Sequence, residues 1–382
     1  MVIRSSIVLL ILLCILTVSS NAQKDSSLPT LNIGDSAPPL KLRTWYKGTP
    51  IKHFEKGTVY VVEFWATWCK PCKAAMPHLS ALAREYKDKV NFLGVDIYEN
   101  QTYSIKNVQA FVDSMGNRLD YNVAVQDSNF MEEGWIFAAG EKDNGIPKSF
   151  VVNAEGKLAW IGHPNDLAKI LPKIVDNSWD IKAALAKRNL DRRLEALNKE
   201  AGYHLNMYLG DREKPGDHGK PDWALLVIED LIFNEPQLKY TPVIAFHTFS
   251  SLLKTNLHKA YEYGKIAIVT TTYEEPAYDA ILSAIQLYSK KIKLPVEIYQ
   301  LGAEAYQLNI DQIPYPEIVN MSKYYNNMAD FYWLAKNKSK AIDSQNKAIE
   351  WLKTKKDFSA VETAALVRKL KQYKKILTKD KG

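Results

Sequence analysis

Two patterns of apolar and polar positions divide this chain. Up to about residue 178, apolar runs of strand length alternate with helical spacings; beyond it the strand signals fade and helical periodicity continues. Residues 59–66, VYVVEFWA, form an apolar run interrupted by one carboxylate, Glu63. The run is long enough for a strand buried on both faces. Residues 73–86, KAAMPHLSALAREY, follow with apolar positions at helical spacing. Residues 90–98, VNFLGVDIY, predict a second buried strand, residues 104–115 a helix ending at Gly116, and residues 121–126 a short strand. Residues 129–139 read as helical. Two strands then flank the turn Ala154-Glu155-Gly156 as an antiparallel hairpin, and residues 165–177 form a closing helix. Strands alternating with helices predict an α/β sheet domain. Near its start, Pro38-Pro39 and the glycines punctuate short strands.

The second half reads as all-α. Residues 181–200 form a charged helix, residues 211–221 a polar loop, and from Asp222 amphipathic helices succeed one another. The clearest pair spans residues 324–353. There Tyr325, Met328, Ala329, Tyr332, Ala341 and Ala348 fall where a tetratricopeptide unit places its close-packing residues. Weaker echoes at Ala267 and Ala303 are irregularly spaced, so the region is helical-repeat-like. Such units stack into a groove for a partner; the other reading is a helical cap that stabilises or dimerises the first domain. At the other end, Arg4, the apolar residues 7–18 and the small residues around Ser20-Asn21-Ala22 read as a secretory signal peptide cleaved near Ala22. Its apolar core is short for a membrane span of about 20 residues. The expected domains are therefore residues 1–22 (leader), 23–178 (α/β) and 179–382 (α-helical), with the mature chain in the periplasm or another extracytoplasmic space.

Composition adds exclusions. With 382 residues, 46% hydrophobic and 24% charged, the chain can bury two cores, and its net charge of +7 is spread without a nucleic-acid footprint. Of three cysteines, Cys14 lies in the leader, which leaves Cys69 and Cys72 and excludes a disulfide-stapled scaffold. The histidines are scattered, His78 reads as a surface or packing residue, and neither a metal site nor a cofactor is expected. Aromatic residues in the helical half are read as core.

The chemistry sits where the first strand turns into the first helix: Trp68-Cys69-Lys70-Pro71-Cys72. Amide groups at a helix start favour a thiolate, Lys70 adds positive charge, and two intervening residues let the sulfurs bond. A C-x-x-C placed there suits thiol–disulfide exchange. W-C-x-P-C in this context resembles the active site of the thioredoxin superfamily. Pro77 matches the proline in its active-site helix, and Glu63 its buried acidic residue. The wording of residues 65–79 is similar to the extracytoplasmic TlpA- and ResA-like branch.

The resemblance implies a thioredoxin fold, a mixed central sheet flanked by helices and opened by a small hairpin. It implies that Cys69 attacks as the more exposed thiol, that Cys72 resolves, and that Glu63 takes the proton from Cys72. It also implies that Pro147, in Gly145-Ile146-Pro147, is cis and faces the cysteines, leaving the Ile146 backbone to pair with a substrate strand beside Trp68 and Pro71. Ala75 stands where ResA-like proteins often carry a glutamate, so that residue's role is not carried over. The expected function is an exported thiol–disulfide oxidoreductase that reduces disulfides in exported client proteins and draws electrons from a membrane donor. The alternative is a partner-binding helical protein with the thioredoxin domain as its delivery or accessory module. A metal carrier using the two thiols is disfavoured by Pro147.

Overall fold

The computed structural model describes residues 29–99, 105–141, 145–210, 219–272, 275–354 and 360–379. The expected signal peptide and Cys14 lie outside these residues. The chain divides into two compact units between Leu185 and Ala186.

The first unit is built on a six-stranded mixed sheet. Its strands are β1 (Leu42–Lys47), β2 (Val59–Trp65), β3 (Val90–Asp96), β4 (Asn122–Gln126), β5 (Lys148–Val152) and β6 (Leu158–Gly162), in the order β1-β4-β3-β2-β5-β6. β2, β3 and β4 run parallel, while β1, β5 and β6 pair antiparallel with their neighbours. The apolar run read from the sequence is thus the strand beside both β3 and β5, and all seven of its residues are buried.

Strand alternation splits the core in two. One face carries Val59, Val61 and Trp65 under three helices: α1 (Lys70–Glu85), α2 (Ile105–Met115) and α3 (Leu167–Val175). The opposite face carries Tyr60, Val62 and Phe64 against Leu31, Met131 and Trp135. Trp135 belongs to a π-helical segment, Glu132–Phe137, in the stretch read as helical. Fully buried Trp65, Trp135, Phe64 and Phe150 are each worth about 1.5–3 kcal/mol of apolar transfer, which anchors the sheet.

The opening segment corrects one expectation. No hairpin precedes β2 among the described residues; its single strand, β1, pairs with β4 at the sheet's edge. Gly48 with φ +81°, the turn at Gly57, and a bond from the Thr49 amide to Asn122 Oδ1 turn the intervening chain away from a second strand. The boundary expected at residue 178 leaves out Ile181, Ala184 and Leu185, which pack into the first unit's core from the start of α4 (Ile181–Leu205).

The second unit is largely helical. Its helices are α5 (Pro221–Asn234), α6 (Pro242–Thr255), α7 (Leu257–Ala267), α8 (Tyr278–Ser289), α9 (Val296–Gln312), α10 (Met321–Leu334), α11 (Lys338–Lys353) and α12 (Ala360–Lys379). A two-residue pairing, Thr271–Thr272 with Glu275–Pro276, is the strand element that the sequence reading lacks. Tyr325, Met328, Ala329, Tyr332, Ala341 and Ala348 are all buried in this unit's main core. Asn256, Asn320 and Asn337 each accept a backbone N–H three residues on, starting α7, α10 and α11. Among the described residues, no helix is long and apolar enough to cross a membrane.

Candidate active site

β2 ends at Trp65, a three-residue strap follows, and α1 begins at Lys70, so Cys69 is itself the residue that caps the helix. Its extended backbone turns its sulfur onto the helix start, where Sγ accepts the Cys72 amide N–H at 3.1 Å. Pro71, in the first turn, has no N–H to leave unsatisfied there. Cys69 and Cys72 form a disulfide with Cα atoms 5.3 Å apart. Cys69 is 3% exposed and Cys72 is fully enclosed. Lys70 and Pro71 are exposed, and Trp68 is 51% exposed. The sulfur of Cys69 lies 3.7 Å from the carbonyl oxygen of Ile146, whose bond to the buried Pro147 is cis. The structure therefore brings Cys69, Cys72 and Ile146-Pro147 to one place.

Glu63 lies deeper. It alternates with Val61 and Trp65, on the face that packs against Cys72 and Met76 of α1. It is 1% exposed and neither carboxylate oxygen has a hydrogen-bond partner. Burial alone pushes its pKa up to about 8.

The structure adds residues that the sequence reading passed over. Asp96 ends β3 in register with Trp65, is fully buried on the same face, and is pushed up to about 9 by burial and the neighbouring Glu99. The Tyr46 hydroxyl, pushed up to about 12 by burial and then by Asp96, is a further buried group here. Periodicity hid Asp96 because the strand pattern is apolar around it; a carboxylate within an apolar strand run was the available signal, and its place beside Trp65 is set by the register of β2 and β3.

Glu99 accepts both the Thr67 amide at 2.5 Å and the Thr67 hydroxyl at 2.9 Å. The Trp68 indole N–H donates to the Tyr98 carbonyl at 2.9 Å. These three bonds tie the strap before Cys69 to the segment just after β3. Glu99→Ala should cost about 2 kcal/mol of stability through the two lost charge-assisted bonds. It should also raise KM for a protein disulfide more than it lowers kcat, because Trp68 and Cys69 lose their fixed approach. Insulin reduction kinetics alongside thermal melting check both effects; an unchanged KM with unchanged melting would show that the strap holds without Glu99.

Lys148, paired with Phe64 of β2, forms an ion pair with Glu141 at 2.8 Å, the side chains only 12% and 5% exposed. Lys148 directly follows Pro147, so this pair fastens the start of β5 to the turn before it. Among the described residues, no group of three or more His, Cys, Asp or Glu side chains could hold a metal ion.

Known proteins resemble this arrangement. The thioredoxin family model matches residues 51–113, which carry β2, the cysteine pair and β3. Protein FixW of Rhizobium leguminosarum is 31% identical over 169 residues, 43% of this chain and 74% of that protein. Thiol-disulfide oxidoreductase ResA of Oceanobacillus iheyensis is 26% identical over 181 residues, 43% of this chain and 88% of that protein. Among solved structures, the thioredoxin domain of a thiol-disulfide oxidoreductase from Bacteroides vulgatus is 21% identical, covering 38% of this chain and 99% of that one, with a TM-score of 0.32. With the capped cysteine pair, the cis proline beside it and a relative of this identity and coverage, the chain belongs to the thioredoxin family and is a thiol–disulfide oxidoreductase.

Proposed function

We propose that this protein is exported and reduces disulfides in other exported proteins through Cys69 and Cys72. The observation that carries the redox reading is the position of Cys69 as the cap of α1, its sulfur accepting the Cys72 amide and facing the Ile146 carbonyl. That amide, with the positive end of the helix dipole, stabilises a thiolate. Export rests on the leader-like residues 1–22.

In the proposed cycle, the Cys69 thiolate attacks a client disulfide. A Cys69–client bond forms, and the client's second sulfur leaves as a thiolate and takes up a proton. Cys72 gives its proton to the Glu63 carboxylate and attacks Cys69 Sγ. The Cys69–Cys72 disulfide closes and the client's remaining sulfur leaves, so the client gains two electrons and the pair loses two. The backbone of Ile146 holds the client segment, with Trp68, Pro71 and Pro147 shaping the approach, while Lys70 adds positive charge near Cys69. A membrane-bound donor of electrons restores the dithiol. The helical unit recruits the partner: Trp223, Leu226 and Phe233 lie along one exposed side of α5.

Expressing Cys72→Ser in cells and isolating its mixed disulfides tests this reading. Captured proteins should come from the exported fraction, with the mature chain beginning near residue 23. Capture of cytoplasmic proteins by an uncleaved chain would overturn the export reading and leave the redox chemistry standing.

A further inference from the structure

β2 presents Glu63 between two neighbours in register. On one side β3 supplies Gly94, which has no side chain to offer. A Cβ there would stand 3.0 Å from Tyr121 Cε2 and 3.1 Å from Trp65 Nε1, so the position is closed to a larger residue. On the other side β5 supplies Ser149, directly opposite Glu63 in the antiparallel ladder. Both residues are enclosed, Glu63 at 1% and Ser149 at 0% exposure. Neither the Glu63 oxygens nor Ser149 Oγ has a hydrogen-bond partner. Directly opposed residues on antiparallel strands hold their Cβ atoms about 4.5–5.5 Å apart, which a rotation about the serine χ1 converts into hydrogen-bond distance.

We propose that Ser149 is a positioning residue for thiol–disulfide exchange, its hydroxyl donating to the Glu63 carboxylate whenever Glu63 has lost its proton. This inference rests on the reading of Glu63 as the proton acceptor for Cys72.

The surroundings leave this task to a neutral donor. From α1, Cys72 and Met76 face the same core; from β3, Asp96 is the next acid along; from β2 and β5, Trp65, Val61 and Val151 complete the lining. The nearby cations point elsewhere. Lys73 lies over the Phe111 ring at 5.8 Å, and Lys148 pairs with Glu141. Burial is the cause of the high proton affinity of Glu63, with no charge acting on it. An ionised Glu63 therefore depends on hydrogen bonds, and a short O–H···O⁻ bond is among the stronger ones. While Glu63 is protonated, the serine gains little by turning toward it. Once Cys72 needs a base, the hydroxyl stabilises the carboxylate that serves.

The test is the pH–rate profile of the full chain reducing a small aromatic disulfide, compared across Ser149→Ala, Ser149→Thr, Glu63→Gln and the Glu63→Gln/Ser149→Ala double variant. Ser149→Ala should move the alkaline inflection upward by about one pH unit and slow turnover near pH 7 roughly tenfold. Ser149→Thr, which keeps the hydroxyl, should restore most of the rate. In the Glu63→Gln background the alanine should change nothing further. Carboxyl ¹³C titration of Glu63 gives a reading independent of turnover, and the midpoint should rise in Ser149→Ala. If Glu63→Gln moves the profile and Ser149→Ala leaves both the profile and the carboxyl midpoint in place, the inference fails alone. If Glu63→Gln itself leaves the profile unmoved, the reading of Glu63 fails and this inference with it.

Discussion

Cys69→Ser should abolish reduction of a protein disulfide, a loss on the order of 10³-fold or more, while Cys72→Ser should fail differently. A serine hydroxyl stays protonated at neutral pH, and the helix-start amide that stabilises a thiolate cannot ionise it. Without Cys69 no bond to the client forms. Without Cys72 that bond forms and nothing clears it, so a stoichiometric mixed disulfide accumulates. Cys72 is fully enclosed in the core that holds Met76 and Leu79, whereas Cys69 keeps 3% exposure and is flanked in the chain by the exposed Trp68 and Lys70. An external sulfur therefore reaches Cys69 first. Mass spectrometry of the trapped species after incubation with a disulfide peptide decides the assignment. A bond to Cys72 in Cys69→Ser, formed faster than the bond to Cys69 in Cys72→Ser, would reverse the two roles.

The sequence was most legible where one local rule sufficed. The apolar run at residues 59–66 has few alternatives to a central strand, and the cysteine pair after it marks a helix start. The antiparallel hairpin of β5 and β6 followed from the turn at Ala154-Glu155-Gly156. What escaped depends on register between distant segments. Nothing in VNFLGVDIY says that Asp96 comes to lie level with Trp65, or that Gly94 stands beside Glu63. Ser149 looks like an ordinary strand residue until β5 pairs with β2 and sets it opposite the carboxylate. Glu99 reads as a loop acid, yet it holds Thr67 across 32 residues of chain. The missing opening hairpin has the same origin: β1 finds its partner in β4, far along the sequence.

Glu63→Gln and Asp96→Asn should each make the chain more stable in alkaline solution, and the first should do so while slowing catalysis. Glu63 titrates at about 8 in the fold against an ordinary 4.5, and Asp96 at about 9 against 3.8. In both cases the folded state holds a proton that the unfolded chain has already released. Stability is therefore greatest below the ordinary carboxylate range. It declines as pH rises from about 4 through 8 for Glu63 and through 9 for Asp96, where the buried groups finally ionise. Each whole pH step between the two values is worth about 1.4 kcal/mol, so the full cost by pH 9 is on the order of 5 kcal/mol for Glu63 and 7 kcal/mol for Asp96. An amide removes that cost and keeps nearly the same shape. The parent's urea midpoint should fall steadily between pH 5 and 9, and each variant should flatten part of the fall. Near pH 4 the variants and the parent should differ little. Hydrogen exchange of the β2 and β3 amides confines the readout to the first unit, which matters because the two units need not unfold together. For Asp96→Asn the gain at pH 9 should come with exchange kinetics closer to the parent's, since Asp96 ends β3 beside Tyr46 and Glu99. A parent whose stability is flat from pH 5 to 9 would mean that both acids ionise at their ordinary values, and the argument that burial holds their protons would be wrong.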